Sequence, residues 1–244
     1  MNEGVRAQLR ERQLPPGCPV MFQTWRDLIF LHWRVPADLV TARLPRGLEL
    51  DTYEGSAWIG VVPFFMRRVR PAGVPPLPLL SNFLELNLRT YVRDGRGRPG
   101  VWFFSLDANQ PVAVLVARLA FGLNYRLRAM SARREPDNWI FYECRSVPRS
   151  VSQRYRYRAT GHSQPAIAGS LEFFLLERYR LFAERNQRLL SGRVYHVPYE
   201  FTSAEIEPVD ARVFDSNDLV NPLRQPDHVC YSRRVDVWVY PIEA

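Results

Sequence analysis

From Phe83 to Tyr91 the chain alternates without a break, Leu84, Leu86 and Leu88 against Glu85, Asn87, Arg89 and Tyr91. A period of two belongs to a strand, whose successive side chains leave on opposite faces. The leucine face requires a core to pack against, so this stretch commits the chain to a sheet. The second face carries a carboxylate, an amide and a guanidinium. In an open sheet it meets solvent, with Glu85 paired to Arg89 or to a neighbouring strand. In a closed barrel the same face is the lumen, because interior and exterior residues alternate along every strand. Both readings stand at this level.

Other segments read as strands by their β-branched and aromatic content. Phe22–Val35 is the first. Leu48–Tyr53 and Ala57–Met66 flank the turn Glu54-Gly55-Ser56, Val101–Leu106 follows Asp94-Gly95-Arg96-Gly97, and Asn124–Met130 pairs with Trp139–Val147. Arg154–Arg158 alternates tyrosine with arginine, and Leu189–Phe201 and His228–Tyr240 are the last long strands. Short helices are expected over Ala37–Arg43, from Pro111 to Leu119 with Asp107 or Asn109 as cap, and over Leu171–Arg178 behind Ser170. The proline-rich stretch Pro71–Pro78 reads as a surface loop long enough to overhang a site. The sum is an α+β class dominated by antiparallel sheet, organised as one domain over residues 22–244. Residues 1–21, with Arg6, Arg10, Arg12, Pro15, Pro16 and Gly17, read as a mobile N-terminal segment.

All 33 basic residues are arginine, and the formal net charge is +8. Arginine stays protonated in proteins, so no side chain can act as an amine nucleophile or form a Schiff base. The arginines are scattered, and no zinc-finger, helix-turn-helix or RNP-type pattern accompanies them, so nucleic-acid binding is disfavoured. Cys18, Cys144 and Cys230 are far apart, which argues against a disulfide framework and a thiolate zinc site. His32, His162, His196 and His228 lack metal-ligand spacing, and no cofactor motif is present. With no signal-like stretch and no apolar run of membrane-spanning length, the expected location is cytoplasmic.

Seven segments carry a family resemblance: LHWRVP (31–36), LPRGLELD (44–51), WIGVVPF (58–64), ELNLRTYV (85–92), GVWFFSLD (100–107), LERYR (176–180) and RVYHVP (193–198). In this order they resemble the YqjF-type family. The succession of strand, short helix, Leu-Glu-x-Asp element and hairpin, then Leu106-Asp107 before a helix, is also similar to acetoacetate decarboxylases. That resemblance implies a cone-shaped β-barrel with a reactive lysine at its mouth, the amine activated by an apolar wall and a second cation. It places Arg26 and Glu85 in the pocket and puts Tyr125 and Arg126 where the two lysines stand. It therefore supports a pocket and argues against lysine-dependent decarboxylation.

Four residues follow as candidate ligand contacts: Arg26, Glu85, Tyr125 and His196. Arg26 lies in an apolar strand and needs a partner. Glu85 can anchor a ligand or act as a base, Tyr125 can donate through its hydroxyl, and His196 reads more often as a packed strand histidine than as a catalyst. Three functions remain open. The first is binding or transformation of a small organic acid or oxo compound, possible ligands including carboxylates. The second is a carrier or sensor without chemistry, and the third a structural domain whose lumen is filled by Phe64, Phe103, Tyr125 and Trp238. Exposed sheet edges and aromatic faces such as Tyr155 with Tyr157 predict a homo-oligomer.

Overall fold

The computed structural model describes residues 2–145 and 152–243. The order of elements is α1 (Glu3–Glu11), β1 (Met21–Val35), α2 (Ala37–Thr41), β2 (Leu48–Leu50), β3 (Ala57–Pro71) and β4 (Phe83–Asp94). There follow β5 (Pro99–Ala108), α3 (Pro111–Phe121), β6 (Tyr125–Leu127), β7 (Ala129–Arg134), β8 (Ile140–Arg145) and β9 (Ser152–Pro165). The chain ends with α4 (Leu171–Leu176), β10 (Arg180–Arg185), β11 (Arg188–Tyr195), β12 (Glu200–Ile206), α5 (Arg212–Asp215) and β13 (His228–Glu243).

Seven strands run in the order β1, β3, β4, β5, β10, β11, β13, and β13 pairs back with β1 to close a barrel. All contacts around the ring are antiparallel except β5 with β10, which is parallel. The mostly antiparallel, cone-like architecture expected from the sequence is therefore the architecture present, with one parallel seam added. Gly100 permits that seam, because a Cβ there would lie 2.6 Å from the Arg180 carbonyl oxygen and 2.7 Å from the Phe182 ring.

Strands β7, β8, β9 and β12 form a second sheet, joined to the barrel where Thr202 pairs with Tyr231. It covers the outer face of β4. Leu84, Leu86 and Leu88 pack there with Ile140, Tyr142, Tyr155 and Tyr157 in one buried cluster. The leucine face predicted to need a core thus finds it between the two sheets. Burial of these side chains, at about 1.5–3 kcal/mol each, fixes the register of β4. The opposite face, Glu85, Asn87, Arg89 and Tyr91, is turned into the barrel.

Several expectations need correction. Residues 1–21 do not simply trail. Asn2 caps α1 by accepting from the Val5 amide at 2.9 Å, and Ala7 and Gln8 are buried. The Gln8 amide donates to the carbonyls of Phe173, Phe174 and Glu177 at 3.2–3.4 Å, tying α1 to the C-terminal end of α4. Tyr155 and Tyr157 are buried between the sheets and offer no aromatic surface for self-association. The segment 124–130 divides: β6 pairs in parallel with β5, and only β7 pairs with β8. Residues 146–147 of the strand predicted opposite it lie outside the described residues. The segment 189–201 also divides, at His196–Tyr199, and α3 is capped by Gln110 in place of Asp107 or Asn109. Among the described residues no helix is long and apolar enough to cross a membrane.

Candidate functional site

The barrel encloses a cavity of about 330 Å³. Its mouth is framed by the 71–82 loop, which contributes Pro75, Leu77 and Leu80, and by Val112, Ala113 and Val116 of α3. The proline-rich stretch contributes Pro71, Pro75 and Leu77 to the lining of this cavity. The cavity walls are mainly carbon, with Leu28, Phe30, Val62, Phe64 and Phe103 prominent, and polar side chains reach it from β4, from Arg178 in the α4–β10 connection, and from Arg70 of β3, Arg180 of β10 and Arg193 of β11. Phe64, Phe103 and Tyr125 line the space without filling it, and Trp238 stands outside it, partly exposed.

Glu85 and Tyr125 meet in the wall. The Tyr125 hydroxyl donates to Glu85 Oε2 at 2.9 Å. Two local features create this pair. Tyr142 of the second sheet donates to the Glu85 carbonyl at 2.9 Å and pins the β4 backbone. The parallel strand β6 sets Tyr125 opposite Leu106, and alternation then sends Arg126 to the other side. There Arg126 donates from Nε to Asp107 at 3.0 Å and from Nη2 to Asn217 at 2.6 Å. So one of the two positions aligned with the lysines faces the cavity and the other does not.

Burial pushes the Glu85 carboxyl up to about 8, against the pull of the Tyr125 hydrogen bond and with a further push from the Asp107 charge. Burial, joined by the Glu85 charge, raises the Tyr125 phenol well above its ordinary range. At neutral pH the pair is therefore uncharged. Glu85 holds a proton and can donate it to a ligand oxygen, and Tyr125 holds the carboxyl in place. In a Tyr125→Phe variant the hydrogen bond that favours the carboxylate is gone. The Glu85 midpoint, followed by ¹³C NMR of labelled glutamate, is then expected to rise by about one pH unit. A midpoint that stays or falls would contradict this geometry.

The other two predicted contacts lie elsewhere. Gln23 and Trp25 line the cavity, so alternation places Arg26 on the opposite face of β1, beside Asp27 and Arg67. At Asp27, with φ 54°, the strand bulges and its inward set shifts to Leu28 and Phe30. The bulge is held by the second sheet and by β13. Asp27 accepts from Tyr231 at 2.6 Å and from Arg134 at 2.7 Å, and its carbonyl accepts from Tyr157 at 2.8 Å. Arg26 is therefore no pocket residue. His196 is buried behind the wall, stacked on Tyr179 at 4.4 Å, with Nδ1 donating to the Val197 carbonyl at 2.7 Å. Burial lowers its pKa to about 4, so it is a neutral packing residue away from the cavity surface.

Sequence reasoning does not assign the deep end of the cavity. Asn87 and Arg89 follow Glu85 along the inner face of β4, and Arg178 enters from the α4–β10 connection. The Arg178 side chain donates to Asp51 at 2.7 Å and to the Phe174 carbonyl at 2.6 Å. The signal for Asn87 and Arg89 is the alternation itself, whereas Arg178 has none beyond its position after an apolar helix.

Comparison with known proteins places these features among relatives. The model of the family DUF2071, described as an uncharacterised conserved protein, matches residues 22–236. The uncharacterised protein YqjF of Bacillus subtilis (strain 168) is 35% identical over 237 residues, 97% of each chain. Acetoacetate decarboxylase from Legionella pneumophila has a similar structure, with a TM-score of 0.67 at 13% identity over 100% of this chain and 96% of that one. The enduracididine biosynthesis enzyme MppR, complexed with pyruvate, gives a TM-score of 0.62 at 15% identity over 95% and 92% of the two chains. At such identities the likeness establishes an acetoacetate decarboxylase-like fold and carries no residue's role.

Proposed function

This chain belongs to the DUF2071 family, and from that premise we propose that it binds, and has the means to transform, a small organic acid or oxo compound inside its barrel. The observation that carries the reading is the apolar cavity of about 330 Å³ with the neutral Glu85–Tyr125 pair in its wall. An apolar chamber with a few convergent polar groups is the usual form of a small-molecule site. Glu85, protonated below about pH 8, supplies a hydrogen bond or a proton to a ligand carbonyl. Schiff-base chemistry is no part of the proposal, because the sequence contains no lysine. A carrier or sensor would use the same contacts without turnover. The open lumen weighs against a self-filled structural domain.

A homo-oligomer and a cytoplasmic location belong to the same proposal. The exposed Leu79, Leu115 and Leu119 around the mouth give self-association an apolar surface, and three free cysteines suit a reducing compartment.

Native mass spectrometry of the freshly purified protein tests the reading. A population carrying a small molecule, released on denaturation, is the expected result. Borohydride with pyruvate is expected to add no mass at any residue from Phe22 onward. A protein that carries nothing, and that fails to bind any member of a panel of small acids, amides and ketones, would overturn the proposal.

A further inference from the structure

Arg89 reaches into the deep end of the cavity with only 8% of its surface exposed. Its Nη2 donates to the Leu175 carbonyl at 3.2 Å, its Nε has no partner, and among the described residues it forms no ion pair. The guanidinium lies over Phe30 and Tyr91, 5.5 and 5.7 Å from the ring centroids. Arg178 lies over the same Tyr91 ring at 5.1 Å, and its buried Nη2 is also without a partner. The one carboxylate in this group, Asp51, is shared between Arg178 at 2.7 Å and Arg93 at 2.8 Å. Two guanidiniums thus share a single acid, and Arg89 has none among the described residues. The Tyr91 hydroxyl is buried and unpartnered as well.

A buried cation without a counter-charge is among the least favourable arrangements in a protein interior. Three of the unused polar groups here, Arg89 Nε, Arg178 Nη2 and the Tyr91 hydroxyl, can donate, they belong to one cluster around the Tyr91 ring, and both guanidiniums reach the lining of a mainly apolar chamber. That combination matches an anionic head with a hydrocarbon body. A planar carboxylate takes parallel hydrogen bonds from guanidinium groups, and the phenol can add a third.

We infer that the deep end of the barrel is a carboxylate subsite, in which Arg89, Arg178 and Tyr91 hold the head group of an amphiphilic monocarboxylic acid. Its carbon chain runs along Phe30, Val62 and Phe64 toward the mouth, passing Glu85. The inference rests on the reading of the cavity as a ligand site and deepens it by naming the head group.

Octanoate and its neutral isostere octanamide separate the two. In calorimetric titrations at pH 7 the ligand-stripped protein is expected to bind octanoate about 100-fold more tightly than octanamide. Arg89→Met is expected to weaken octanoate about 100-fold and to leave octanamide within about threefold. Removal of a buried, unpaired charge also stabilises the empty protein, so the variant's Tm is expected to rise by about 2–4 °C. Equal binding of both probes to the unaltered protein would overturn the subsite and leave the cavity reading intact. Binding of neither would overturn both. Unchanged octanoate affinity in Arg89→Met would also remove the subsite. If Arg89→Met does not fold, Arg89→Lys retains the charge without the fork. It is expected to fold and to bind octanoate about tenfold more weakly; undiminished binding there would count against the guanidinium contact.

Discussion

Replacing Glu85 by Gln is expected to remove a large pH dependence from the stability of this protein. In the folded state burial raises the Glu85 carboxyl to about 8, whereas an unfolded glutamate titrates near 4.5. Between these values the folded chain holds a proton that the unfolded chain has lost, so stability falls as pH rises. The group's contribution is complete below about pH 4.5 and is gone once pH has passed about 8, a loss on the order of 5 kcal/mol. The glutamine side chain of Glu85→Gln would resemble the protonated acid and still accept from Tyr125. The stability difference between variant and parent, from urea midpoints, is therefore expected to be small at pH 5 and to grow in the variant's favour up to pH 8–9. His32 and His196 act in the opposite sense, because burial lowers both and their protonation favours unfolding below about pH 6.5. They are common to both proteins and cancel in the difference. A difference that stays flat from pH 5 to pH 9 would show that Glu85 is not held neutral by the cavity.

A second large effect is expected at Asp51, which lies just after β2 and is 4% exposed. Its two oxygens receive Arg93 and Arg178 separately, and Arg178 has no other acid among the described residues. Asp51→Ala strands a guanidinium that is almost wholly buried, which typically costs about 3–5 kcal/mol. A fall in Tm of about 10 °C follows for a chain of this size. The double variant Asp51→Ala, Arg178→Met removes the stranded charge along with its partner and is expected to recover most of the loss. If Asp51→Ala costs less than about 1 kcal/mol, water reaches Arg178 and the ion pair is not what secures the deep wall.

What the sequence reveals and what it hides follow from strand geometry. The alternation of β4 identifies a packed leucine face and a polar face, and the structure puts the first between two sheets and the second in the lumen. Choosing lumen over solvent requires knowledge that β1 and β13 close the ring, which is a pairing between distant parts of the chain. Glu85 and Tyr125 come together because β6 lies parallel to β5, a contact that no local pattern announces. Arg26 is misplaced by the sequence for the converse reason. On a strand a one-residue difference exchanges inside for outside, and the inward residues of β1 before the bulge are Gln23 and Trp25. Strand β10, Arg180–Arg185, escapes a sequence reading because half of its residues are charged, although Phe182 and Ala183 are buried. The N-terminal helix escapes it because its composition is polar. Its docking depends on Gln8, whose amide finds three carbonyls more than 160 residues away in the chain.

The pairing of β1 with β13 also bears on how this molecule comes into being. The barrel is sealed by these two strands, over eleven residue pairs from Met21 with Val239 to His32 with His228. No portion of the chain emerging from a ribosome can complete the chamber until β13 is released. Until then β1 presents a free edge and an apolar inner face to the surroundings. Contacts of such sequence separation slow folding, and unsatisfied edges invite association between neighbouring nascent chains. A hollow built in this way exists only once β13 has been made. Truncation ahead of β13 would therefore remove the cavity as a whole, long before it reached any residue of the Glu85 wall.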